Sequence, residues 1–284
     1  MKKWVFWLVI LLLLIAYGMT WLIPDDKQKI VNIIDSDAEI SSGDLHIQPT
    51  QVHKGNLVLV NKRYPLDEVG IQPDIVTLAK RKELIQGYAL MNENLRLSEH
   101  VAQLFKSMVL DAADDHVNHF LISSGFRTFK EQSRIFADKG DAYALPAGHS
   151  EHNLGLSLDI GSSQGKMSQA AEGQWLKEHA WNYGFILRYP QDKTEVTGIA
   201  YEPWHFRYVG LPHSVLMRKK NFSLEEYIED IRHQKTMNAE VAGRTYTISY
   251  YPVSKTRTIK IPLHQRYEIS GDNQGGVIVT TYAK

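Results

Sequence analysis

The residues best suited to chemistry crowd into one stretch, Gly148-His149-Ser150-Glu151-His152-Asn153-Leu154-Gly155-Leu156-Ser157-Leu158-Asp159. A second short stretch, Tyr201-Glu202-Pro203-Trp204-His205, lies about 45 residues downstream. His152, Asp159 and His205 together offer two imidazole nitrogens and one carboxylate. That donor set suits Zn²⁺ and leaves a fourth tetrahedral position open for water. Zinc lowers the pKa of such a water to about 7 and polarises a carbonyl. Glu202, three residues before His205, is close enough to serve as general base. His149 and His152 would share a face only on a helix. Ala147-Gly148 before them and the strand pattern after them argue against a helix, so His149 belongs either behind the ligands or at the rim. Glu151 alternates away from His152 and reads as a solvated charge. Trp204 either walls a substrate site or packs in the core, whereas Tyr183, Phe185 and Tyr189 read as core.

These residues need elements to hold them. Leu154, Leu156, Leu158 and Ile160 alternate, which predicts a strand carrying Gly155, Ser157 and Asp159 on its opposite face. Strands are also expected at Asn56–Val60, His119–Ser123, Phe185–Tyr189 and Trp204–Val209. The apolar stripe Val101, Leu104, Phe105, Met108 and Val109 predicts a helix from Ser98 to Ala113. Thr128 followed by Glu131 has capping-box spacing and should open a helix through about Ala137. A helix from about Glu172 to Tyr183 should end on Gly184 in a left-handed cap. Ser223 caps another helix, with Leu224, Tyr227, Ile228 and Ile231 as its stripe. Helices and short strands on an irregular schedule indicate an α+β fold: a small antiparallel sheet with packed helices carrying the metal site. After residue 235, β-branched and aromatic runs separated by Gly and Pro predict a small C-terminal β appendage, with strands at Thr245–Tyr250, Thr258–Ile261, Tyr267–Ser270 and Val277–Tyr282.

The chain has 284 residues and no cysteine, which excludes disulfides, cysteine nucleophiles and thiolate zinc sites. Lys plus Arg and Asp plus Glu are both 32, so no bulk electrostatic partner such as nucleic acid is expected. Met1-Lys2-Lys3 is followed by an almost wholly apolar run, Trp4–Ile23, with Trp4, Trp7 and Trp21 at its ends. Such a run spans about 30 Å as a helix, the thickness of a bilayer core. It predicts a single membrane anchor over residues 1–23 with the remainder extracytoplasmic. The polar stretch 24–54 reads as a tether, 55–234 as the catalytic domain and 235–284 as the β appendage.

The motif Ser150-x-His152-x-x-Gly155-x-Ser157-x-Asp159, followed by Glu202-x-Trp204-His205, resembles the VanY-type zinc D-Ala-D-Ala carboxypeptidases. Ser124-Gly125-Phe126-Arg127-Thr128, Gln132-Ser133, Tyr183-Gly184-Phe185-x-x-Arg188-Tyr189-Pro190 and Leu59-Val60-Asn61-Lys62-x-Tyr64-Pro65-Leu66 fit the same family. The resemblance covers about residues 56 to 213. Ser157 departs from it, since the family usually has Ala there. The resemblance implies that His152, Asp159 and His205 bind zinc and that Glu202 is catalytic. It implies that Arg127 stabilises the oxyanion or holds substrate, and that Gln132 and Ser150 hydrogen-bond substrate. The implied substrate is a peptidoglycan stem peptide ending in D-Ala-D-Ala, and the implied outcome is glycopeptide (vancomycin) resistance. An L,D-carboxypeptidase or a peptidoglycan endopeptidase would use the same zinc chemistry. A noncatalytic wall-binding module would have lost the ligands or the Glu, and all four are present.

Overall fold

The computed structural model describes residues 42–141 and 143–283, together with the short strand Val31–Asn32. Its strands in chain order are β1 (Val31–Asn32), β2 (Ser42–Ile47), β3 (Ile75–Thr77), β4 (Tyr88–Leu90), β5 (Arg96–Ser98), β6 (Phe120–Ser124), β7 (Ser157–Ser162), β8 (Phe185–Leu187), β9 (His205–Tyr208), β10 (Thr236–Val241), β11 (Arg244–Pro252), β12 (Arg257–Pro262), β13 (Arg266–Gly271) and β14 (Gly276–Tyr282). Its helices are α1 (Glu99–Asp114), α2 (Phe129–Lys139), α3 (Ala171–His179), the single turn α4 (Thr194–Thr197), α5 (His213–Lys220) and α6 (Leu224–Gln234).

Local chemistry accounts for the helix boundaries. Ser98 accepts from the Val101 N–H and opens α1. Thr128 with Glu131, and Ser223 with Glu226, form reciprocal capping boxes at the starts of α2 and α6. The helix expected at Glu172–Tyr183 is α3 continued by a 3₁₀ turn over Ala180–Tyr183, and Gly184 closes it in the left-handed region.

The sheet that matters for the site has the order β4-β6-β7-β9-β8. It is antiparallel except for the β4–β6 pair, which is parallel. Phe105, Met108 and Val109 of α1 pack in one core with Phe120 and Ile122 of β6, Leu158 and Ile160 of β7, and Trp175 and Leu176 of α3. The expected strand at Asn56–Val60 is absent, although Leu57, Val58, Leu59 and Val60 are buried. Side chains satisfy its backbone in place of a neighbouring strand. Arg207 Nη2 donates to the carbonyls of Asn56 and Val58, Asn273 Nδ2 donates to that of Leu59, and the Leu57 N–H donates to Ser270 Oγ.

Four C-terminal strands and the N-terminal β1 form an antiparallel sheet of order β1-β10-β11-β14-β13. The apolar stripe of α6 lies in one core with Met237, Ala239, Ile248 and Ile278 of that sheet, and with Leu57, Leu59 and Ile186 of the preceding body. Residues 42–54, expected within a tether, are folded. β2 pairs with β12 along its whole length, and Ile47 and Val52 are buried with Val253, Ile259, Val277 and Val279. Alternation in β2 was hidden by its polar composition, and only its partner strand gives it an inner face.

The membrane placement is corrected. No helix among the described residues is long and apolar enough to cross a membrane. Residues 4–23, on which the anchor and the extracytoplasmic localisation rested, lie outside the described residues.

Candidate metal centre and active site

Strand register places two of the three expected ligands side by side. β7 and β9 pair with Asp159 opposite His205, so their side chains share one face of the sheet. Asp159 Oδ1 lies 3.0 Å from His205 Nδ1. The third, His152, sits on a 3₁₀ turn, Glu151–Asn153, that feeds β7. Its Nε2 lies 3.4 Å from Asp159 Oδ2. One donor atom from each of His152, Asp159 and His205 falls within 4.8 Å of the other two.

The His152 turn is stitched to the loop after β6 by three bonds. His152 Nδ1 meets the Gly125 carbonyl at 2.7 Å, the Arg127 N–H donates to the His152 carbonyl at 3.0 Å, and Asn153 Nδ2 donates to the Arg127 carbonyl at 2.7 Å. The first bond puts the proton on Nδ1 and leaves the Nε2 lone pair, on the side of Asp159, free to ligate a metal. A register shift between Ile122 and Ser124 bends β6 into this loop. Gly125 is required there, because a Cβ would fall 2.3 Å from the Arg96 carbonyl oxygen.

Glu202 is set by backbone bonds. Its N–H donates to the Tyr189 carbonyl, and its own carbonyl accepts from the His205 N–H. Its Oε2 lies 3.7 Å from His205 Nδ1, beside the donor cluster. The Tyr189 ring packs against the His205 imidazole with centroids 4.9 Å apart. Tyr189 is therefore part of the wall of this centre as well as of the core, a role its aromatic type alone did not signal.

The electrostatics suit a cation. Burial opposes ionisation of Asp159, but His152 and His205 overcome it and hold the carboxyl well below the usual carboxylate range. Burial pushes Glu202 up, with the charge of Asp159 adding to the rise against the opposing pull of His205. Burial lowers His152. Burial also lowers Arg127, while Asp159 and Glu202 act on it in the opposite sense, which places its guanidinium in the field of the same centre. Arg127 Nε carries no hydrogen bond among the described residues. Two nitrogens and a carboxylate at this spacing, with the second nitrogen of His152 already engaged, fit a zinc ion.

The remaining candidates are placed less tightly. Gln132 is buried on the first turn of α2, where Nε2 donates to the Leu145 carbonyl and Oε1 has no partner. It is therefore not the exposed first-turn residue its position suggested. Ser150 is buried immediately before the His152 turn. Trp204 is 42% exposed, which removes it from the core. None of these three makes a hydrogen bond to the donor atoms. His149 is not among the clustered donors, and its Nδ1 lies 2.9 Å from the Asn61 carbonyl.

Glu151 overturns its reading as a solvated charge. It is 1% exposed. Its Oε1 accepts from Arg188 Nε and Arg207 Nη1, both at 2.8 Å. Its Oε2 accepts from Ser157 Oγ at 3.1 Å and lies 3.5 Å from His205 Nε2. No local pattern pointed to this. The only signal was two arginines in otherwise strand-like runs, which need a buried anion.

Residues 94–211 match the family model VanY: D-alanyl-D-alanine carboxypeptidase. A D-alanyl-D-alanine carboxypeptidase of Enterococcus faecium is 49% identical over 99% of this chain and 97% of its own length. The chain belongs to the VanY-type D-alanyl-D-alanine carboxypeptidase family. It is similar to the vancomycin-resistance D,D-dipeptidase VanXYg, solved in complex with a D-Ala-D-Ala phosphinate analogue. That similarity has a TM-score of 0.75 and 31% identity, and covers 85% of this chain and 99% of the other. It is also similar to the D,D-pentapeptidase VanY of a VanB-type resistance cassette, solved in complex with Zn(II), with a TM-score of 0.51 and 27% identity over 61% of this chain and 98% of the other. The enzyme is thus a hydrolase of the D-Ala-D-Ala carboxypeptidase class.

Proposed function

We propose that the enzyme is a zinc D,D-carboxypeptidase that removes the terminal D-Ala from peptidoglycan stem peptides ending in D-Ala-D-Ala. Loss of that residue removes the dipeptide glycopeptides bind, so the activity contributes to vancomycin-type resistance. The observation that carries this reading is the convergence of His152, Asp159 and His205 within 4.8 Å, with Glu202 Oε2 3.7 Å from His205 Nδ1. The catalytic work is assigned to residues 55–234, with 235–284 as a supporting sheet.

His152 through Nε2, His205 through Nδ1 and Asp159 through a carboxylate oxygen would hold the metal. Bound zinc supplies Lewis-acid polarisation of the scissile carbonyl and makes a nucleophile available at neutral pH. Glu202 accepts the proton of the attacking water at its carboxylate and delivers it to the departing D-Ala amine. Burial keeps Glu202 above the ordinary range, which brings it nearer the operating pH and strengthens it in both roles. Arg127 carries a buried, unpaired Nε–H and lies in the field of Asp159 and Glu202. There it stabilises oxyanion charge or holds the terminal carboxylate. Gln132 Oε1, also unpaired, accepts from a substrate amide. Ser150 beside the His152 turn and the exposed face of Trp204 complete the substrate contacts.

The test is product analysis with the zinc-loaded chain. A pentapeptide ending in D-Ala-D-Ala should release D-Ala. A tetrapeptide with an L,D bond and a cross-linked dimer serve as comparisons. Release from the tetrapeptide alone would move the enzyme to the L,D class, cleavage of the dimer alone would make it an endopeptidase, and no release from any in a folded sample would sink the hydrolytic reading.

A further inference from the structure

Glu151 neighbours one expected ligand in sequence and faces another in space. Its carboxylate is held from fixed directions: two guanidinium donors on Oε1 and a hydroxyl on Oε2, which also faces His205 Nε2 at 3.5 Å. Arg188 and Arg207 are both fully buried. Arg188 also makes a two-pronged bond to Glu225 of α6, at 2.7 and 2.9 Å. Arg207 spends its other donors on the carbonyls of Tyr208, Asn56 and Val58. Two guanidiniums and two carboxylates balance in charge without any contribution from His205. The carboxylate can orient that ring as a plain acceptor.

His205 must present Nδ1 to the donor cluster, so its Nε2 points away into the buried body. The carboxylate oxygen it faces there is Glu151 Oε2, at 3.5 Å, and Nε2 has no hydrogen-bond partner among the described residues, so this oxygen is the acceptor within reach. An imidazole whose outer nitrogen is held by a carboxylate is fixed in ring orientation and tautomer, and is a more basic metal ligand.

We infer that Glu151 is a positioning residue for the metal centre, orienting His205 through Nε2, and that Ser157 steadies Glu151 by its hydroxyl bond to the same oxygen. The inference rests on the zinc reading above. It gives Ser157, where the family usually has Ala, a function of its own: a donor that keeps Oε2 aimed at His205.

The experiment measures the zinc dissociation constant by chelator competition for the full chain and for Glu151→Gln, Glu225→Gln and Ser157→Ala, with melting of each metal-free protein alongside. Glu225→Gln loosens Arg188 without touching His205, so it should lower the melting temperature and leave zinc affinity within about twofold. Glu151→Gln should weaken zinc about 10- to 100-fold. Ser157→Ala, which removes a single hydroxyl oxygen, should weaken it about threefold, the worth of one modest hydrogen bond. Equal loss of zinc affinity in Glu225→Gln and Glu151→Gln would reduce Glu151 to a structural ion and overturn the inference. So would unchanged affinity in a folded Glu151→Gln. If Glu151→Gln does not fold, unchanged affinity in Ser157→Ala overturns it. A full-length chain that takes up no zinc would instead sink the zinc reading itself, which separates the two failures.

Discussion

His205 and His213 stand eight residues apart, and each is 4% exposed. Their protonation runs in opposite directions. Burial works against charge on both. At His205 the carboxylates of Asp159 and Glu151 overcome it and raise the ring to about 9. At His213 burial acts alone and lowers the ring to about 3. The contacts of His213 are hydroxyls, Tyr227 at its Nδ1 and Thr280 at its Nε2. Burial therefore does not decide what a histidine does; the charge of its partners does. The end of the sheet around His205 is organised to hold a cation. The junction of α5, α6 and β14 around His213 is organised to pack.

Substitutions can break that contrast, beginning with the largest effect. His205→Ala should abolish stoichiometric zinc uptake and with it turnover, whereas His213→Ala should retain one zinc per folded chain; metal analysis of the two proteins checks this. Glu202→Gln should keep its zinc and lose about 10²- to 10⁴-fold in kcat, the range expected for a general acid–base. Retained turnover there would remove Glu202 from the reaction. Arg188→Met leaves Glu151 and Glu225 buried short of a cation, and should destabilise the chain by about 3–5 kcal/mol. A thermal melt reads that as a drop of roughly 10 °C.

The smallest effect is pH-dependent and belongs to His213. In the unfolded chain this ring takes up a proton near pH 6.5, but in the folded chain only near pH 3. Stability from this group is complete above pH 6.5 and falls as pH is lowered towards 3, by about 1.4 kcal/mol per unit. His213→Gln should flatten the melting profile between pH 6.5 and 4.5 and leave neutral-pH activity within twofold. An unchanged slope would show that acid sensitivity arises elsewhere.

Much of the site was legible because its parts are short-range patterns. His152, Asp159, Glu202 and His205 have chemistry-bearing side chains at spacings that a turn and two strands can bring together, and the structure clusters them. The capped starts of α1, α2 and α6 were equally readable, since a cap is a contact between residues two or three apart. Glu151 was not, because its environment is made by Arg188 and Arg207, 37 and 56 residues away. Asn56–Val60 looked like a strand because β-rich composition reports burial, and burial without a partner strand gives the same composition. The polar strand β2 failed the opposite way, being paired along its length while showing little apolar alternation.

The amino-acid sequence by itself determined which groups could do chemistry: a His/Asp donor set in a chain without cysteine, a carboxylate three residues from one of those donors, and an arginine just before a capped helix. It also determined the helices, whose signals are local. Tertiary structure alone decided that Asp159 stands opposite His205, that Tyr189 walls the centre, and that Glu151 is enclosed by two arginines. Register, burial and dielectric arise only when distant strands meet. A charged side chain has no fixed protonation or orientation until those neighbours surround it.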